Sequence, residues 1–196
     1  PIARALAAES IVTRVAALAK VNPERLYDLL RGVRSLDGKK ATEIRDILSG
    51  LTIIDPAVGS GVLLWAALRV LLDLDSACDG ARGGRDGYQP GSYEWGVRSR
   101  HFVCNCLYGV DISDEAVELS RLRLWLAVAL SEDSPSPLPD LELNICRGDS
   151  LLGQQPKLAG VTQMMLGYDA PSQLVNELRS KTKALSLIHI SEPTRP

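Results

Sequence analysis

Leu51-Thr52-Ile53-Ile54-Asp55-Pro56-Ala57-Val58-Gly59-Ser60-Gly61 joins a short β-branched run, an acid and a glycine turn, and it leads straight into the apolar residues 62–72. Gly50 and Pro56 bound the run, which suits a buried strand. Residues 62–72 are long and apolar enough to form a helix packed on a sheet. The spacing predicts a unit of strand, glycine turn and helix.

The same alternation recurs downstream. Order returns at residues 101–106, and Leu107-Tyr108-Gly109-Val110-Asp111 reads as a second strand ending in an acid. Ser113 is placed to N-cap a helix over residues 114–130. A Ser/Pro turn region follows at 131–139. Leu141-Glu142-Leu143-Asn144-Ile145 then alternates apolar and polar as a third strand would, and it runs into Arg147-Gly148-Asp149-Ser150-Leu151. Strands alternating with helices predict an α/β, Rossmann-like fold with a parallel sheet and right-handed crossovers. Such sheets bind ligands at the carboxyl ends of their strands.

Upstream, residues 1–50 read as an N-terminal helical segment. Ile2, Leu6, Ile11, Val15, Leu18 and Val21 recur near helical spacing before Asn22-Pro23 breaks the pattern. Residues 24–33 suggest a second helix closed by a turn around 32–38, and residues 42–48 a third, ending at Gly50. The sheet domain then spans 51–184. Within it, residues 73–100, glycine-rich between Gly80 and Gly91, read as a loop or insertion. Residues 161–166 and 172–183 suggest further elements.

The composition of the 196 residues, 45% hydrophobic and 23% charged, is that of a globular protein. A formal net charge of -2 gives no generally basic surface for nucleic acid, although a local patch can still supply phosphate contacts. The four cysteines are too few and too irregularly spaced for a disulfide scaffold. With no C-x-x-C pair there is no zinc signature, so a reducing, cytoplasmic setting and no metal are expected. No apolar run approaches the roughly 20 residues of a membrane span, and the first residues lack signal-peptide layout. The chain opens at Pro1 inside a helix-like pattern, as a fragment would. Residues 185–196 resemble a translated sequencing adaptor, so His189 is given no role.

The candidate chemistry lies in three acids at equivalent strand ends: Asp55, Asp111 and Asp149. A glycine turn such as Gly59-Ser60-Gly61 is by itself weak evidence, since it can serve close packing or positive φ alone. A third glycine is absent at Leu64, so the dinucleotide pattern G-x-G-x-x-G is not met. Asp55 would repel a pyrophosphate, yet it suits the cationic, amine-bearing methionine portion of S-adenosylmethionine. A carboxylate at Asp111 can accept both ribose hydroxyls of an adenosine, with Ile112 offering an apolar face to the adenine. The plain alternative is a solvated acid starting a helix beside Asp114 and Glu115. Asp149 can accept the adenine amino hydrogen, with Ser150 and Leu151 closing that end, or it is a simple turn acid.

Asp55-Pro56-Ala57-Val58-Gly59-Ser60-Gly61, the block from Leu107 through Asp111-Ile112 to Leu126, and the block from Leu138 to Leu151 together resemble the first three motifs of large N6-adenine DNA methyltransferases of bacterial restriction–modification and phage-defence systems. The resemblance covers residues 51–152, and its second block is the most family-specific. Val58 departs from the cysteine common in the family. The resemblance implies a class I methyltransferase fold and S-adenosylmethionine as cofactor. It also implies cofactor contacts from Asp55, Pro56, Ala57, Gly59, Ser60, Gly61, Asp111, Ile112, Asp149 and Ser150, with double-stranded DNA as partner. The family's catalytic Asn/Asp-Pro-Pro-Tyr/Phe block, which holds a base flipped from the duplex, occurs nowhere in the 196 residues. No catalytic residue is therefore assigned. Three competing readings remain: a methyltransferase acting on RNA, protein or a small molecule, a noncatalytic cofactor-binding module, and a nucleotide-dependent oxidoreductase.

Overall fold

The computed structural model describes residues 2–33, 36–83, 87–131 and 136–150. Three helices come first: α1 (Ile2–Ala19), α2 (Pro23–Leu30) and α3 (Gly38–Ser49). The α1 stripe Ile11, Val12, Val15, Ala16 and Ala19 is buried, and Lys20 at φ 53° ends the helix. Asn22 caps α2 by accepting from the Glu24 N–H at 2.9 Å, with Pro23 filling a first-turn position where no amide is needed. Asp37 caps α3, accepting from Lys40 N–H at 2.7 Å.

β1 (Ile53–Asp55), β2 (Leu107–Asp111) and β3 (Ile145–Arg147) form a parallel sheet in the order β1-β2-β3. Ile53 pairs with Leu107, Asp55 with Gly109, Gly109 with Ile145, and Asp111 with Arg147. The sheet face carrying Leu107, Gly109 and Ile145 is buried. Together with the helices it is compatible with an α/β fold.

α4 (Val62–Gly83), α5 (Tyr93–Asn105) and α6 (Asp114–Ala129) complete the described structure. α4 is the central pillar, and α1, α2, α3 and α5 all pack on it. Leu64, Leu68 and Leu71 of α4 share one core with Val12 and Val15 of α1, Ile44 and Leu48 of α3, Phe102 of α5 and Leu107 of β2. The N-terminal helices and the sheet are thus joined by a continuous apolar interior.

Two expectations need correction. Residues 73–100 are mostly helical: α4 continues through Asp73 to Gly83, and α5 begins at Tyr93. Two of the acids that looked like loop residues are buried. Asp75, fully buried, accepts from Arg45 Nε at 3.2 Å, Arg98 Nη2 at 2.7 Å and Tyr88 Oη at 2.6 Å, while Asp79 takes Arg45 Nη1 at 2.7 Å. The third strand is also displaced, since Glu142–Asn144 turns and pairing begins only at Ile145. Asn144 still accepts the Gly109 N–H of β2 on its backbone carbonyl at 2.8 Å, while its side chain bonds elsewhere. Its Nδ2 donates to the carbonyls of Val103 (3.3 Å), Cys104 (3.1 Å) and Leu107 (2.9 Å). The expected elements at 161–166 and 172–183 lie outside the described residues.

Candidate functional site

The three acids stand at or just beyond the carboxyl ends of three neighbouring parallel strands: Asp55 ends β1, Asp111 ends β2, and Asp149 follows β3 by two residues. Asp55 is 9% exposed. Its Oδ1 accepts the Ala57 N–H at 3.1 Å, a local side-chain turn that bends the chain out of the strand. Its Oδ2 is buried without a hydrogen-bond partner among the described residues. A buried carboxylate oxygen left unmatched is costly, so such an atom is suited to a donor or cation brought by a ligand.

Pro56 and Ala57 are exposed, and Val58 turns inward. The Val58 N–H donates to Val110 O at 2.9 Å, stitching the loop to β2. Gly109 makes this possible, because a Cβ there would lie 2.7 Å from Val58 Cγ2. Gly61 adopts φ 74°, and a Cβ on it would sit 2.6 Å from Ser120 Oγ on α6. The Gly61 N–H donates to Val58 O at 2.8 Å, and its carbonyl accepts Trp65 N–H at 2.9 Å in the first turn of α4. Ser60, half-buried, lies between the two glycines.

Asp111 closes the loop from the other side. Its Oδ2 accepts the Gly59 N–H at 2.8 Å and its Oδ1 the Ser113 N–H at 3.0 Å. The Ser113 and Gly59 amides together hold its carboxyl below the usual carboxylate range. Each carboxylate oxygen carries a further acceptor site, so Asp111 retains capacity for two more donors. Ile112 is 65% exposed beside it. The Gly148 N–H donates to Asp111 O at 2.8 Å, which brings the Asp149 segment against β2. Asp149 is half-buried and Ser150 exposed, whereas Leu151 lies outside the described residues.

Asp55, Gly59, Gly61 and Asp111 therefore form one connected cradle. A cavity of about 940 Å³ runs along β1, between Ser10 and Arg14 of α1 and Leu63 of α4. It meets the loop only at Asp55 and Pro56, so this hollow and the loop touch without coinciding. Sequence reasoning passed over Gly109 and Ser120, which shape the loop from beneath. A glycine inside the run from Leu107 to Asp111 was the available signal for the first. Nothing local marks Ser120.

Further support for the third strand end comes from α6. Arg121 Nη2 donates to Ile145 O at 2.7 Å, and Trp125 Nε1 to Pro139 O at 2.8 Å, so the second motif anchors the chain that leads into β3. Among the described residues no group of three His, Cys, Asp or Glu side chains could hold a metal ion. Nor is any described helix long and apolar enough to cross a membrane.

No family model matches the chain. Over 116 residues, 55% of the chain, it is 39% identical to a Methanocaldococcus jannaschii protein that carries the name of a type II restriction enzyme and methyltransferase. This chain is similar to a part of that protein. It spans 9% of that relative's length.

Proposed function

We propose that this chain is the S-adenosylmethionine-binding part of a restriction–modification or phage-defence methyltransferase acting on adenine N6 in double-stranded DNA, with a class I methyltransferase fold. One observation carries the reading: the glycine loop after β1 is bonded through Gly59 N–H to the Asp111 carboxylate at the end of the neighbouring parallel strand. The likeness to the archaeal protein supports a methyltransferase of the restriction–modification kind at family level.

The residues fit the cofactor. The unpartnered Asp55 Oδ2 suits its ammonium group. Asp111 keeps acceptor capacity for the ribose hydroxyls, Ile112 presents an apolar surface to the adenine, and Asp149 with Ser150 receives the exocyclic amine. Around Gly59 no atom beyond its chain neighbours lies within 4 Å of where a Cβ would sit, which leaves its backbone open to a ligand also touched by Pro56, Ala57 and Ser60. When bound, S-adenosylmethionine supplies an electrophilic methyl group on its sulfonium. What these side chains contribute is orientation, the main lever for an in-line transfer between two held reactants. Holding the target adenine falls to an Asn-Pro-Pro-aromatic block that is absent from the 196 residues.

Incubation of the chain with methyl-labelled S-adenosylmethionine and unmethylated duplex DNA tests this directly. Label should be retained by the protein and none should enter DNA. Incorporation into DNA would overturn the need for the missing block, and failure to retain label would overturn the cofactor reading. The adenine assignment is tested by the base modified when a longer protein containing this chain methylates duplex DNA: N6-methyladenine supports it, and a methylated cytosine contradicts it.

A further inference from the structure

We propose that Asp114 guards the Asp111 carboxylate by holding Arg147 away from it, an inference that rests on the cofactor reading above. β2 and β3 pair in parallel with Asp111 opposite Arg147. Register partners on adjacent strands project from the same sheet face, and neighbouring strands lie about 4.7–4.9 Å apart. The long Arg147 side chain therefore starts within reach of the Asp111 carboxylate. A planar guanidinium facing two carboxylate oxygens is a favourable, two-point match.

The structure holds Arg147 elsewhere. Its Nη1 lies 2.7 Å from Asp114 Oδ2 in the first turn of α6, while the Asp111 oxygens take the backbone N–H groups of Gly59 and Ser113. Both partners of the Arg147–Asp114 pair are about 60% exposed, with side-chain values of 63% and 64%. Such an exposed pair adds little stability. Its consequence is competitive: with Asp114 engaged, the guanidinium is kept off the acceptor sites that a ribose diol would use. Glu115, also in that first turn and within the field of Arg147, strengthens the acidic side of this competition. The same two acids complement the positive end of the α6 dipole, so the helix start serves both ends.

Titration calorimetry of S-adenosylmethionine into the full chain at low ionic strength, run on the wild type, Asp114→Asn, Arg147→Met and the double variant, separates this from a structural role. Asp114→Asn should bind about three- to fivefold more weakly, because Arg147 is released onto Asp111. Arg147→Met should stay within about twofold of wild type, and the double variant should return to that level. The Asp114→Asn defect should shrink as salt rises. Thermal melts on each protein check that all four are folded. Undiminished binding by folded Asp114→Asn, or a double variant as weak as Asp114→Asn, overturns the guard role while leaving the cofactor reading intact. A wild type that takes up no S-adenosylmethionine overturns both.

Discussion

Asp55 holds a carboxylate of which one oxygen is bonded and the other is buried without a partner among the described residues, an arrangement that favours a ligand over the empty fold. Asp55→Asn keeps the acceptor for Ala57 and removes the unmatched charge. Its unfolding free energy should therefore stay within about 1 kcal/mol of wild type or rise, while S-adenosylmethionine affinity falls at least about tenfold. Urea titration and calorimetry on the same preparation read the two quantities. Gly61 bears on the fold: at φ 74° with Ser120 Oγ 2.6 Å from an added Cβ, Gly61→Ala should cost about 1–3 kcal/mol by the same urea assay. At this scale the sequence was informative wherever chemistry sat in consecutive residues, as in Asp55 to Gly61. Ser120, 59 positions after Gly61, left no local trace of its contact, because only the packing of α6 brings it beneath the loop.

Among the elements, β1, α4 and β2 were legible from β-branched runs and apolar length, and Ser113 from its position before Asp114 and Glu115. α5 and the second half of α4 were not. Their glycines and charges imitate a loop, and the burial of Asp75 and Asp79 depends on Arg45 and Arg98, which lie 23 to 34 residues away. β3 was misplaced for a related reason. Leu141 alternates with polar neighbours as a strand residue would, yet it is buried ahead of a turn, and Asn144 spends its amide on the end of α5 and the start of β2. Asn144→Ala strips three carbonyls of a donor and should destabilise the fold by about 1–3 kcal/mol in chemical denaturation. Asn144→Asp, which presents no amine, should not rescue it.

In the described body as a whole, the Asp75 cluster ties α3, α4, the residue Tyr88 and α5 together inside one apolar core. The core also sets the behaviour of the thiols. Burial pushes Cys78 up to about 12 and Cys106 up to about 11 from 9.0, with the Asp75 charge adding to the shift at Cys78. The folded values exceed the unfolded one, so this contribution to stability is complete below pH 9 and is lost progressively from pH 9 up to about 11 for Cys106 and about 12 for Cys78. Denaturation midpoints taken across that alkaline range should fall, and both thiols should resist alkylation at neutral pH until the protein unfolds. The central claim concerns the cradle joined through Gly59 and Asp111, and one calorimetric comparison tests it most directly: S-adenosylmethionine and a nicotinamide dinucleotide titrated separately into the full chain and into Asp111→Ala. S-adenosylmethionine should bind the wild type, weaken at least about tenfold in Asp111→Ala, and the dinucleotide should give no binding heat. A preference for the dinucleotide, or S-adenosylmethionine binding untouched by the loss of Asp111, would contradict the account.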